Sequence, residues 1–365
     1  MTMSTGAREN QIALATLMWT AEFPDRHLIS LLDELPATTV VAIVRAGQLP
    51  SGRELPETAV QCFNEARTQL PEWQERLRRA PADGGIAQAE RIGFRLLAPG
   101  DRGWPEALSD LGHSRPCALW VRGADLPPLR AAVAIDGSRD PTAYGTRVAQ
   151  DIAGDLAASG TTVISGCAYG TGTTAHQAAL MAGGATVAVV PSGPGKPFPP
   201  GNASLLEAIA ASGGSIVTEQ PPGFRPTRMS FSHRCRLIAA LSSGTVITEA
   251  IEPVGHLRTA QDARQLGRAV MAVPGPVDSP QSRGCHHLIR DGAMLVTSAS
   301  DVWKAIAAHR RCPVSRQFDR DEIECLVRTA AEAVHSNAVG DDGLSERQLD
   351  LSLRAYRYHM ADMQG

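Results

Sequence analysis

The stretch AAVAIDGSRDPTAYGTRVAQDIAGDLAASGTTVISG (131–166) decides the fold. It begins and ends on short apolar runs, AAVAI (131–135) and TTVISG (161–166), in which polar and apolar residues do not alternate. A strand with one wet face alternates, whereas a continuous apolar run suits a strand covered on both faces, as in a parallel sheet. Between the runs, Val148, Ile152 and Leu156 recur every four residues and so share one face of a helix. Strand, helix, strand is the parallel crossover unit.

Working outward, the same alternation continues. ATVAVV (185–190), SIVTE (215–219), GTVITEA (244–250), AVMAVPG (269–275) and AMLVTS (293–298) follow at helix-sized intervals. This predicts an α/β fold, a doubly wound parallel sheet with right-handed crossovers. Upstream, residues 1–80 read as helical: Leu28, Leu31, Leu32 and Leu35 fall on one helix face, and Pro36, Pro50, Pro56 and Pro71 divide the segment into short pieces. The PADGG stretch (81–85) has turn chemistry and little to bury, which puts a domain boundary there. After Trp303 the strand pattern stops. Asp319 can cap a helix with Ile323, Leu326, Val327, Ala330, Ala331 and Val334 in one stripe, and a second helix begins at Ser345. The expected division is therefore an N-terminal helical domain (1–85), the sheet domain (86–305) and a C-terminal helical extension (306–365).

Composition narrows the function classes. With 43% hydrophobic and 20% charged residues among 365, the chain can bury a core and is not a disordered protein. No run approaches the ~18 apolar residues of a bilayer span, and MTMSTGAREN lacks a signal-peptide pattern, so a cytoplasmic location is expected. Seven cysteines, odd in number and without a CxxC pair, encode neither a disulfide framework nor a zinc ribbon. The net charge of −3 points to no partner, but only Lys196 and Lys304 are lysine and the other 33 cations are arginine. Guanidinium forks hold phosphate bidentately where an ammonium acts as a point charge.

In an open parallel sheet, ligands sit beyond the carboxyl ends of the strands. Here those ends are rich in glycine and small polar residues: Asp136-Gly137-Ser138-Arg139 after the first run, and Ser165-Gly166-Cys167-Ala168-Tyr169-Gly170-Thr171-Gly172 after the second. Such loops let backbone N–H groups approach an anion, and the next helix start adds positive potential. FSHRCR (231–236) strengthens the reading. Between Glu219 and Arg268 stand seven arginines (225, 228, 234, 236, 258, 264, 268) against four acids (219, 249, 252, 262). A basic stripe beside a glycine-rich crevice suits a phosphate backbone. His176 has no nucleophile or carboxylate placed to work with it and reads as a packed or capping residue. His286 and His287 are adjacent and cannot chelate one ion from a helix, so no metal site and no catalytic residue is expected.

The order of motifs resembles the DNA-processing protein A (DprA, also called Smf) family: WPEALSDL and ALWVRG leading in, then GSR, SGxAxG with AHxxAL, TExPPG, FxxRxRLIAALS, TVxTEA, GxLxTA, and SxGCHHLIRDGAxLVTS, over roughly residues 94–303. The resemblance implies an extended Rossmann-like domain behind a small helical domain of the SAM-like type. It also implies sequence-independent binding of single-stranded DNA, a homodimer, no cofactor, and help in loading the RecA recombinase during DNA uptake or recombination. Matched residue by residue, Gly137, Ser138 and Arg139 stand on the family's GSR, with the arginine expected on phosphate. Ser165, Gly166 and Gly170 stand on its second loop, Arg234 and Arg236 on its arginine pair, and Gly255, Leu257, Thr259 and Ala260 on its SGSLxTA segment. Tyr169 stands where most relatives carry a basic residue, and an aromatic there can stack on a base. Asp136, Gly172 and Cys235 depart from the family pattern, and an acid at 136 is unfavourable in an anion crevice unless Arg139 or a nearby N–H pairs with it. The apolar residues around Leu288 and Ile289 are the family's candidate dimer face.

Two other readings have specific discriminators. Phosphoribohydrolases of a related fold carry PGGxGTxxE; here Gly170-Thr171-Gly172-Thr173 is followed by Thr174-Ala175-His176-Gln177, with no acid at the needed place. A sensor of a small phosphorylated nucleotide could use the same crevice. The first loop lacks the full G-x-G-x-x-G of dinucleotide enzymes.

Overall fold

The computed structural model describes residues 5–21, 24–52, 54–251 and 257–311. Gly255 and the helices expected beyond residue 319 lie outside the described residues.

Six helices come first: α1 (Thr5–Leu17), α2 (Arg26–Glu34), α3 (Ala37–Ala46), α4 (Glu57–Ala66), α5 (Leu70–Leu77) and α6 (Ile86–Glu90). Their ends follow local chemistry. The Asp25 carboxylate accepts the free N–H groups of His27 and Leu28 at 3.0 Å and so caps α2. Pro36 and Pro56 immediately precede α3 and α4, and Pro71 sits in the first turn of α5. Leu28, Leu31 and Leu35 are buried as their spacing predicts, and Leu32 is half-buried.

The sheet contains β1 (Phe94–Leu97), β2 (Leu119–Gly123), β3 (Ala132–Asp136), β4 (Thr162–Ser165), β5 (Thr186–Val189), β6 (Ser215–Thr218), β7 (Gly244–Ile247), β8 (Ala269–Ala272) and β9 (Met294–Leu295). Their order is β1-β2-β6-β5-β4-β3-β7-β8-β9. Around it run α7 (Ala143–Ala158), α8 (Thr171–Met181), α9 (Ala203–Ala211), α10 (Arg228–Ala240), α11 (Arg258–Gln265), α12 (Arg283–Arg290) and α13 (Ala299–Arg311). All seven apolar runs are strands in parallel register, and every residue of β4 to β8 is buried. The antiparallel pair β1–β2, added at the edge of β6, is not foreseen by the run pattern. From β3 the chain winds one way to β6, then returns to place β7, β8 and β9 on the other side of β3. The switch point thus falls between β3 and β7, which is where such sheets open a crevice.

Residues 1–307 form one compact unit and 308–365 a second, of which only the last turn of α13 is described. One apolar cluster contains Leu28 and Trp73 of the helices together with Trp120, Ala188 and Ile216 of the sheet. The division expected at residue 85 is therefore a change of architecture inside one packed unit. The two glycines of PADGG are buried, while Ala82 stays exposed. Gly84 has φ +67°, and a Cβ there would stand 2.6 Å from Ala15 Cβ. The indole of Trp19 donates to Gly84 O at 3.0 Å, and Gly85 faces Pro222. Glycine brings a close approach as readily as a linker, and composition does not separate the two.

Candidate nucleic-acid interface

Three loops and the start of α10 meet at the carboxyl rim of the sheet. In the loop after β3, Ser138 is buried: its N–H donates to Glu249 O (2.8 Å), its carbonyl accepts from Thr171 N (3.0 Å), and its hydroxyl accepts from Asp140 N (3.1 Å). Ser138 thus shapes the loop. Arg139, next to it, is exposed, with its guanidinium 5.2 Å from the centroid of the Phe231 ring. A guanidinium over an aromatic face is held by the ring quadrupole while its edge N–H groups stay available. The loop after β4 touches this one because residue 170 lacks a side chain: Gly170 has φ +75°, and a Cβ would lie 2.5 Å from Ser138 O.

The loop after β5 brings Lys196 and Phe198. The Phe198 ring meets Phe231 edge to face, centroids 5.3 Å apart at 75°. Lys196, Pro197, Phe198, Arg225 and Pro226 line an open cleft of about 350 Å³. Tyr169, 52% exposed, accepts a hydrogen bond from Gly201 N at 3.3 Å and so stands beside the same loop. Among the described residues, Arg139, Lys196 and Arg225 pair with no carboxylate.

Helix α10 begins on a capping box. Thr227 Oγ1 accepts from Ser230 N (3.1 Å) while Ser230 Oγ accepts from Thr227 N (2.9 Å), which orients the first turn and its Phe231. One turn on, Arg234 is buried, lies 5.1 Å from the Phe231 centroid, and donates to Gly166 O. Gly166 is required there, since a Cβ would fall 2.6 Å from the Arg234 guanidinium carbon. Burial draws the Arg234 pKa below its usual value, with the positive Arg139 a smaller contributor.

Several expectations need correction. Arg236 is internal: its two terminal nitrogens reach the Glu219 carboxylate at 2.7 and 2.6 Å, its Nε donates to Ser114 O at 2.7 Å, and Nη1 also donates to His233 O at 2.8 Å. Two residues along a helix turn a side chain by about 200°, so Arg236 leaves the rim that Arg234 approaches and spends its donors inside the fold. Ser165 is buried and its hydroxyl ties β4 to Ile135 O at 2.7 Å. Thr259 is buried too, donating to Asp136 Oδ2 at 2.5 Å, while Gly137 N donates to Oδ1 at 2.8 Å. Asp136 is thereby satisfied without Arg139. Cys235 adjoins this pair, and its thiol is pushed up to about 11 by burial and then by the Asp136 charge. The two departures at 136 and 235 thus belong to one partly buried network. At Gly172 a Cβ would stand 3.1 Å from Ser165 Oγ, a tight start to α8.

The basic stripe is also thinner than its count. Arg258 pairs with Asp262, Arg268 with Asp110, and Arg264 reaches Asp291 O at 3.1 Å. His176 is fully buried with Nδ1 2.7 Å from Thr186 Oγ1, and burial holds its pKa down to about 3, so it is a packed neutral ring. Leu288 is buried and Ile289 half-buried, so they do not form the exposed apolar face expected there. Conversely, the cleft of Lys196, Phe198 and Arg225 was not foreseen. Its one sequence signal is a lone lysine in an arginine-only region, flanked by prolines.

The family model for DNA recombination-mediator protein A matches residues 95–307. A putative DNA processing protein DprA of Mycobacterium tuberculosis is 46% identical over 226 residues, covering 58% of this chain and 57% of the relative. The DNA processing protein DprA of Streptococcus pneumoniae is 36% identical over 200 residues, covering 54% and 70%. The match thus spans little more than half the length of the mycobacterial relative. The X-ray structure of the pneumococcal protein superposes with a TM-score of 0.62 at 26% identity, over 83% of this chain and 98% of that one. A structure of DNA processing protein A from Helicobacter pylori, described for its single-stranded DNA binding mode, gives 0.52 at 25%, over 60% and 98%.

Proposed function

The chain belongs to the DNA recombination-mediator protein A family, and from that premise we propose that it binds single-stranded DNA without sequence preference and acts in DNA processing and recombination. The observation that carries this is the exposed Arg139, rested on Phe231 and flanked by the cleft of Lys196 and Arg225. Unpaired cations displace counterions from phosphates, and the exposed Tyr169 offers a π-face that any base can stack on, with the half-buried Phe198 beside the cleft. Gly166 and Gly170 serve by letting Arg234 and the Arg139 loop, respectively, close on the loop after β4, and Gly137 by turning the chain after β3.

The chemistry on the rim is binding chemistry. His176 is walled in and neutral, and no acid stands where the phosphoribohydrolase motif needs one. The finer reading, by family, is that the chain protects the strand, works as a homodimer, and delivers the strand to RecA. The pneumococcal and Helicobacter relatives support the coarse part of it through their names. None of the described helices is long and apolar enough to cross a membrane.

Fluorescence anisotropy of labelled oligothymidine, against a duplex of equal length at two salt concentrations, tests the proposal. The single strand is expected to bind tighter and to weaken steeply with salt. Equal binding of both, or saturable salt-insensitive binding of AMP in its place, would refute it and favour the sensor reading.

A further inference from the structure

The rim holds an anion of its own. Glu249 follows β7 at the switch point and is 2% exposed. One carboxylate oxygen accepts from Thr142 N at 2.8 Å and the other from Thr142 Oγ1 at 2.6 Å, while that hydroxyl also accepts from Gly145 N at 3.1 Å and caps α7. The Glu249 carbonyl accepts from Ser138 N at 2.8 Å. One residue therefore grips both ends, 138 and 142, of the loop that carries Arg139.

The position has a second meaning. It is the first turn of the helix after the central parallel strand, where doubly wound domains seat the phosphate of a nucleotide. Gly145 lies in that turn, and a Cβ on it would stand 2.2 Å from the Glu249 carboxylate. In dinucleotide-binding domains a glycine in the phosphate loop admits a pyrophosphate to the backbone; here the bare position admits a side-chain carboxylate.

We propose that Glu249 is a positioning and specificity residue of the interface: its carboxylate fills the small-phosphate seat at α7, excludes nucleoside mono- and diphosphates, and clamps the Arg139 loop toward a polymer. The clamp rests on the single-strand reading above; the filled seat does not. The test uses the full chain with Glu249→Ser and Glu249→Gln, labelled oligothymidine and inorganic pyrophosphate. Glu249→Ser should lose about tenfold in oligothymidine affinity with the salt slope unchanged, because Arg139 keeps its charge, and Glu249→Gln should restore most of that loss by keeping an acceptor on Thr142. Titration calorimetry should find saturable pyrophosphate binding in Glu249→Ser that the parent lacks. Parental oligothymidine affinity in Glu249→Ser would overturn the clamp, and pyrophosphate binding by the parent as tight as by that variant would overturn the filled seat. If circular dichroism finds Glu249→Ser unfolded, Thr142→Val removes the hydroxyl donor and tests the clamp by the same titration. A parent that binds no oligothymidine defeats the interface reading, while the pyrophosphate titration still decides what fills the seat.

Discussion

Beneath α10, Arg236 directs its donors to Glu219, Ser114 and His233 and is 6% exposed; at the rim, Arg139 stands in solvent with an aromatic face under its guanidinium. Both positions stand on arginines of the motifs that carry the family resemblance, and their surroundings give them different work. A buried guanidinium must be neutralised and hydrogen-bonded or it destabilises the fold. At the rim, water solvates the charge, the ring only orients it, and its edge remains open to a phosphate. The interior arginine should therefore govern stability, and the rim arginine binding.

The sharpest attempt to break that contrast is Arg236→Ala, which leaves Glu219 buried without its partner. It should cost about 3–5 kcal/mol in urea denaturation. Joint replacement of both partners by Met and Leu should recover most of the loss, and an unchanged urea midpoint for the single variant would end the interior reading. A second interior group adds a pH axis. The folded pKa of His176 lies at about 3, below the unfolded 6.5, so its contribution is whole above pH 6.5 and is lost as pH falls toward 3. Lowering pH from 7 to 5 should remove about 2 kcal/mol through this group, and denaturation of His176→Gln at both pH values should find that increment missing.

The rim variants should behave in the opposite way. Arg139→Ala is expected to weaken oligothymidine binding about tenfold and flatten the salt slope by about 0.7, with stability changed by less than about 0.5 kcal/mol. A stability loss comparable to that of Arg236→Ala would erase the distinction. The smallest effects belong to Lys196→Ala and Arg225→Ala, each about threefold in affinity with a shallower salt slope. No change in either titration would remove the cleft from the strand's path.

Legibility divided along similar lines. β4 to β8 could be read because each is covered on both faces and so carries no charged residue and no polar alternation, and the rim could be read because glycine clusters where strands end. β1 and β2 escaped because an edge pair draws its order from β6 rather than from its own pattern. Arg234 and Arg236 could not be separated from the motif alone: the helix phase is readable, but which side of α10 faces Glu219 depends on how the helix lies on the sheet.

What the amino-acid order determined by itself was periodicity and local chemistry: where strands and helices run, which residues cap them, and that glycine-rich loops gather at the rim. Those properties arise from neighbours a few residues away. Only the tertiary structure decided which charges remain open: Asp136 is answered by Thr259, Glu249 by Thr142 and Arg236 by Glu219, each across more than fifteen positions of chain. Whether a charged group faces water or a partner depends on contacts distant in sequence, and burial makes that difference large in free energy.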